Sequence, residues 1–156
     1  MYISQAMVRN TVESDIEGIK GVIEATGLFP TEMFEPIINP FFSEGSDGSI
    51  WLTLCDPGPI GAVYCVPEMM AEGTWNMLMI AVHPDYQNSG RGAQLVSELE
   101  AQLRLREARL ILVETSSLEQ YEQARTFYRK LGYVHEASIK DFYAPGEDKL
   151  IFTKPL

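Results

Sequence analysis

Cysteine and histidine are scarce in this chain of 156 residues, with two of each: Cys55, Cys65, His83 and His135. Spread so widely, they offer no ligand spacing, and no metal site is expected. The cysteines flank "DPGPIG" (56–61), a turn signal between two apolar runs, which places them on the strands of a hairpin. A turn centred near Pro57–Gly58 sets Cys55 opposite about residue 60 and Cys65 opposite about residue 50, so the thiols are too far out of register to bridge. Two reduced cysteines suit a reducing compartment. Long apolar runs are missing as well: none approaches the roughly 20 residues that span a bilayer. The opening MYISQAMVRN lacks the basic-then-apolar order of a secretory signal. The expectation is a cytoplasmic protein with no membrane partner. Basic charge is the last shortage, with 12 Lys and Arg against 22 Asp and Glu and a formal net charge of −10. Such a field opposes nucleic acid and anionic lipid, and leaves open whether it favours a cationic substrate or serves solubility alone.

What is present suits a core. Hydrophobic residues make up 46% of the chain, and no repeat, linker or low-complexity tract interrupts it, so one domain over 1–156 is expected. "QAMVRN" (5–10) reads as a strand. Ser14-Asp15-Ile16-Glu17 has the form of a capping box and opens a helix with Ile16, Ile19, Val22 and Ile23 on one stripe, stopped by Gly27. Residues 28–48 hold Pro36 and Pro40, which forbid one long regular helix; short helical pieces and a wall over a pocket both remain open. Strands are expected at 49–55, 60–67 and 74–82, and a helix at about 90–106 carries Ala93, Val96, Leu99 and Leu103 on one face. "RLILVET" (109–115) has the apolar centre of a strand buried on both faces. Tyr121, Ala124, Phe127, Tyr128 and Leu131 then mark a helix ended by Gly132. Strands at 133–139 and 149–154 close the chain around a loop holding Pro145 and Gly146. Strand 74–82, helix 90–106 and strand 109–115 form a βαβ unit with parallel strands. Hairpins on either side make the sheet mixed.

"HPDYQNSGRGAQL" (83–95) puts Gly90 and Gly92 where a strand gives way to a helix. Glycine is costly inside a helix, so a close approach to the backbone is implied. A Gly-rich turn that opens a helix exposes unpaired N–H groups at the positive end of the helix dipole, a place for phosphate. The dinucleotide fingerprint fails, since Leu95 stands at its third glycine, and the P-loop fails because no Gly-Lys pair follows.

The run Gln87-Asn88-Ser89-Gly90-Arg91-Gly92 does match Q/R-x-x-G-x-G/A, the acyl-CoA pyrophosphate loop of the GNAT superfamily of N-acyltransferases. "MIAVHPDYQNSGRGAQLV" resembles that family's strand, V-x-P connector, loop and helix, "ARTFYRKLGYV" (124–134) its A-x-x-F-Y-x-x-x-G-F/Y signature, and "DFYAPGEDKLIFTKPL" its closing hairpin. The resemblance implies a GNAT-like α/β (α+β) fold: a mixed, mostly antiparallel sheet of about 6–7 strands, a central parallel βαβ unit and helices on both faces. It implies acetyl transfer from acetyl-CoA to a primary amine of a small molecule or peptide by direct attack, with no metal. Backbone N–H groups of Gln87, Asn88, Ser89, Gly90, Arg91, Gly92 and Ala93 would hold the pyrophosphate, with the Arg91 side chain on a phosphate. Edge groups of Ile80, Ala81 and Val82 would pair with the pantetheine arm, and an N–H near Val82 would polarise the thioester. Tyr128 matches the family's general-acid tyrosine. Glu114, ending a buried strand, and Glu72, just before strand 74–82, are candidate bases, beside a base-free chain of waters. Tyr121 stands where many members carry an Asn, so that Asn's CoA contact does not transfer. A non-catalytic CoA-binding sensor is the competing reading. The acceptor walls are expected in 28–42, 66–75 and 140–148, where Met69, Met70, Trp75, Phe142 and Tyr143 suggest an apolar lining and Glu68, Glu72, Asp141 and Glu147 suit an ammonium. Whether two copies pair as a homodimer is open.

Overall fold

The computed structural model describes residues 6–43 and 47–156. Gln5 of the expected first strand and residues 44–46 of the ambiguous segment lie outside the described residues. The elements are β1 (Met7–Asn10), α1 (Ile16–Thr26), α2 (Phe34–Phe42), β2 (Ile50–Cys55), β3 (Pro59–Pro67), β4 (Thr74–Val82), α3 (Arg91–Leu105), β5 (Leu110–Ser116), α4 (Glu122–Lys130), β6 (Val134–Ala144) and β7 (Glu147–Pro155). The sheet has seven strands in the order β1-β2-β3-β4-β5-β7-β6. Neighbours β1–β2, β2–β3, β5–β7 and β6–β7 are antiparallel, and β4–β5 is parallel. This is the mixed, mostly antiparallel α/β architecture expected. The chain divides into two compact units, Met1–Val66 with Met79–Gln102, and Pro67–Leu78 with Leu103–Leu156.

In the first unit, α1 buries Ile19, Val22 and Ile23 and ends on Gly27, whose φ of 64° lets its N–H reach the Ile23 carbonyl at 2.9 Å. Its start differs from the expected Ser14–Glu17 box. A 3₁₀ turn over Glu13–Asp15 precedes the helix, so the cap falls upstream and Asp15 provides it. Its buried carboxylate accepts the Val12 N–H at 2.9 Å, two Arg9 bonds at 2.6 and 2.8 Å, and the Thr53 hydroxyl at 3.1 Å. Burial alone would raise the Asp15 pKa, but these partners more than offset it and the net shift is downward.

Helix α2 is one of the short pieces that Pro36 and Pro40 allow. Pro36 lies in the first turn, where a free N–H would have no partner, and Pro40 forgoes one bond near the end. Its Phe34 and Ile38 pack with Ile19, Ile23, Trp51, Ala62 and Met79. Phe34 meets the Trp51 ring edge-on at 5.7 Å, and Trp51 stacks on Tyr64 at 4.3 Å. The other face of the β2–β3 hairpin receives α3. There a Cβ on Gly61 would stand 2.9 Å from the Ala81 carbonyl oxygen and 3.3 Å from Leu95 Cδ1, so only glycine admits this approach. The hairpin register pairs Cys55 with Pro59 and Ile50 with Cys65, and both cysteines are buried and outside any disulfide, as expected.

In the second unit, β4 pairs with β5 only from Thr74–Leu110 to Asn76–Leu112, and there the ladder ends. β5 pairs with β7 along its whole length, Leu110 with Pro155 to Ser116 with Lys149. The expected 140–148 loop is a correction: β6 runs to Ala144 and β7 starts at Glu147, leaving a tight turn at Pro145–Gly146. Gly146 at φ 83° makes the turn, and its N–H donates to Asp141 Oδ1 at 2.8 Å. The irregularity instead sits within β6, where Asp141 has φ 53° and the register shifts between Ile139 and Ala144. In α4 the sequence stripe omitted Arg125, which is buried and donates to the Ser116 and Leu118 carbonyls at 2.6 and 2.8 Å.

Candidate active site

The glycine loop belongs to the first unit. Leaving β4, the His83 N–H donates to the Ile60 carbonyl at 2.8 Å, and His83 Nδ1 accepts the Asp85 N–H at 3.1 Å, capping a 3₁₀ turn over Pro84–Tyr86. Gln87 Nε2 reaches back to the Val82 carbonyl at 2.8 Å, and Ser89 Oγ donates to the Tyr86 carbonyl at 2.6 Å. These bonds shape the loop with side chains. Asn88 and Gly90 both adopt positive φ, 61° and 82°, and a Cβ on Gly90 would meet open space. The first helical bond of α3 runs from the Gln94 N–H to the Gly90 carbonyl at 3.1 Å. The N–H groups of Arg91, Gly92 and Ala93 therefore precede any intrahelical acceptor, at the positive end of a 15-residue helix. The Arg91 guanidinium donates to Asp56 Oδ2 at 2.6 Å, an internal anion at the helix start, and both side chains are largely buried.

Ile80, Ala81 and Val82 lie in the part of β4 beyond its ladder with β5. Ala81 and Val82 are buried side chains, as ordinary core would be, while Val82 lends its carbonyl to Gln87.

The candidate acid and bases belong to the second unit. Tyr128 is 6% exposed, with the rings of Phe127, Tyr133 and Phe152 centred 5.5, 6.1 and 6.1 Å away. Burial pushes its phenol up to about 12. Among the described residues none is hydrogen-bonded to its hydroxyl. Glu114, on β5, accepts Lys149 Nζ at 2.8 Å on Oε2 and Asn76 Nδ2 at 3.4 Å on Oε1. Asn76 Nδ2 also reaches Glu68 Oε1 at 3.3 Å, while its Oδ1 is buried without a partner. Lys149 Nζ lies 3.9 Å from the centre of the Phe142 ring.

Glu72 is not brought to this cluster. It is exposed ahead of Thr74, its carbonyl accepting Arg109 Nε at 2.8 Å. Thr74 pairs with Leu110, four residues short of Glu114, a separation of about 13 Å along a strand. The expected apolar walls divide similarly. Met69 and Met70 project at 94% and 100% exposure and line nothing, and Trp75 is core beneath Arg106 at 5.5 Å. Phe142 and Tyr143 are half-exposed and meet edge-on at 5.0 Å. The sequence reading missed Asn76 and Lys149; the one visible signal was an amide standing inside the apolar run "WNMLMIAV".

Among the described residues no three His, Cys, Asp or Glu side chains gather as a metal would need, and no helix is long and apolar enough to cross a membrane.

A family model for the acetyltransferase (GNAT) domain matches residues 46–135. Among solved structures, a protein of Desulfovibrio desulfuricans assigned to the GNAT acetyltransferases is 29% identical with a TM-score of 0.91, over 97% of this chain and 99% of that one. Two others share the fold at lower identity. The ribosomal-protein-S18-alanine N-acetyltransferase of Escherichia coli is 18% identical, TM-score 0.77, over 97% and 94% of the two chains. An aminoglycoside 6'-N-acetyltransferase complexed with coenzyme A is 15% identical, TM-score 0.78, over 96% of each. No curated protein matches the chain. With the family model spanning the loop, βαβ unit and α4, this chain belongs to the GNAT acetyltransferase family.

Proposed function

We propose that residues 1–156 act as one cytoplasmic N-acetyltransferase domain that moves an acetyl group from acetyl-CoA to a primary amine of a small molecule or peptide. The observation that carries this is the opening of α3: Gly90 in a left-handed turn, then N–H groups with no acceptor in the helix. The N–H groups of Arg91, Gly92 and Ala93, with the loop backbone that leads to them from Gln87, suit a pyrophosphate. Arg91 assists through the guanidinium donors that Asp56 leaves. The fold neighbour solved with coenzyme A supports the same cosubstrate. The end of the β4–β5 ladder at Asn76 leaves backbone edges of Ile80–Val82 for a pantetheine arm to pair with, and an N–H near Val82 to polarise the thioester carbonyl.

Chemistry then needs one proton removed and one returned. The lone pair of the neutral amine attacks the thioester carbonyl carbon as its N–H proton passes to Glu114, directly or through water. The tetrahedral intermediate collapses to amide, the C–S bond breaks, and Tyr128 protonates the departing thiolate. Its phenol stays protonated across the working pH range, as an acid must. Glu72 has no role here, and no metal takes part.

Gly90→Val tests the loop. A β-branched side chain at φ 82° strains the turn and fills the space above the N–H groups. Calorimetry on folded protein should show CoA affinity reduced at least about tenfold. Wild-type affinity would overturn the loop assignment, and a CoA-binding wild type inert toward a broad amine panel would leave a sensor.

A further inference from the structure

We propose that Lys149 is a positioning residue for Glu114, kept in place by the ring of Phe142, a role that rests on Glu114 being the base. A glutamate ends in two carboxylate oxygens that turn freely about its last torsion. Here Oε2 accepts Lys149 Nζ at 2.8 Å, while Oε1 has only the long 3.4 Å contact from Asn76 Nδ2. One oxygen is tethered, and the other is left to take a proton. The Lys149 side chain is 14% exposed, and its Nζ stands 3.9 Å from the centre of the Phe142 ring. A cation over an aromatic face is held by the ring quadrupole, more strongly where water is kept away. The ring covers a side of the ammonium that Glu114 does not take, so water competes less for the ion pair.

Phe142 reaches the ammonium through a departure from regular strand geometry. Ile139 pairs with Lys149 and Ala144 with Glu147, so four residues, Lys140–Tyr143, stand against the single Asp148. The excess chain is pinned. Asp141, at φ 53°, donates its N–H to Asp148 Oδ1 at 2.9 Å and accepts the Gly146 N–H on Oδ1 at 2.8 Å. Asp148 is in turn tied to the end of β5. Its N–H donates to Ser117 Oγ at 2.8 Å, and its carbonyl accepts the Ser117 N–H at 3.0 Å. These bonds fix Phe142 against the strand that carries Glu114. With 49% of its surface open to solvent, Phe142 adds little to the core, and the ammonium is the contact that the pinned segment secures. A mere acceptor wall would act on the KM of the amine, and mere packing would act on stability; a positioned base acts on kcat.

The test is steady-state thiol release from acetyl-CoA with 1,4-diaminobutane, Nα-acetyl-lysine amide and glycinamide, the variants being compared on the fastest of the three. Phe142→Leu keeps apolar bulk and removes the aromatic face, whereas Phe142→Tyr keeps the face. Phe142→Leu should lower kcat about fivefold with the KM for acetyl-CoA unchanged, and Phe142→Tyr should recover it to within about twofold of wild type. Lys149→Met should lower kcat about twentyfold, yet add nothing in a Glu114→Gln background. In folded wild type, the proton resonances of the Lys149 ε-methylene should lie upfield from the ring current of Phe142, and Phe142→Leu should abolish that shift. Wild-type kcat in Phe142→Leu, an equal loss in Phe142→Tyr, or a change confined to the KM of the amine overturns the positioning role. So does a rise of kcat in Lys149→Met, which would mean that the ion pair restrains the base. Additive losses in the double variant leave Glu114 as the base and refute its positioning by Lys149. Wild-type kcat in Glu114→Gln refutes the base and the positioning together, and no turnover of any of the three amines refutes both along with acetyl transfer.

Discussion

Tyr128 and Phe127 are neighbours on α4, yet only Tyr128 is fully buried, ringed by aromatics and with its phenol raised to about 12. Removing the hydroxyl alone separates packing from chemistry. Tyr128→Phe keeps the ring, so fold and CoA affinity should persist, while turnover on a verified amine falls by ~10²-fold, the scale for one positioned general acid. The sign of the pH effect follows from the raised pKa: the phenol is protonated below it, so its proton is lost only as pH rises toward 12. The turnover profile should show no alkaline loss from this group up to about pH 10. Wild-type turnover in Tyr128→Phe would make the residue core alone. Asn76 makes the same point from the other side. Pattern reading treats one amide in an apolar strand as noise, because the carboxylates that give it meaning are distant in sequence.

Elements were legible where local chemistry decides them. The Pro57–Gly58 turn fixed the β2–β3 register to within a residue, and Gly27 ended α1 because a left-handed residue is needed there. Legibility failed where a long-range partner decides. Asp15 caps the 3₁₀ turn ahead of α1 because Arg9 on β1 and Thr53 on β2 hold it, which the Ser14–Glu17 spacing does not reveal. β6 ran past Ile139 because β7 pairs with it again beyond the Asp141 irregularity. Asp15→Asn should therefore cost about 2 kcal/mol, less than a fully buried ion pair because Arg9 is partly solvated. A carboxyl with lowered pKa in the fold adds stability above its unfolded pKa and loses it as pH falls. Urea midpoints of wild type and Asp15→Asn should thus differ at pH 7 and draw together only as pH falls below 3.8, the ordinary carboxyl value, toward the lowered folded one; equal midpoints at pH 7 would show the network to be ornamental.

For the whole molecule, the net charge of −10 acts on two substrates of opposite sign. Coenzyme A is a polyanion, and the proposed loop meets it with neutral N–H dipoles, its one guanidinium already offset by Asp56. No cationic patch in that loop counters the long-range repulsion. A protonated primary amine acceptor is attracted by the same field. Raising salt from about 20 to about 300 mM shortens the Debye length from about 20 Å to about 6 Å, which screens the field but not contacts at hydrogen-bond distance. The KM for acetyl-CoA should fall and the KM for 1,4-diaminobutane should rise, each about two- to threefold, with kcat little changed. Steady-state thiol release over a salt series measures both. Two constants moving in the same direction would show that local contacts outweigh the field at one of the two sites.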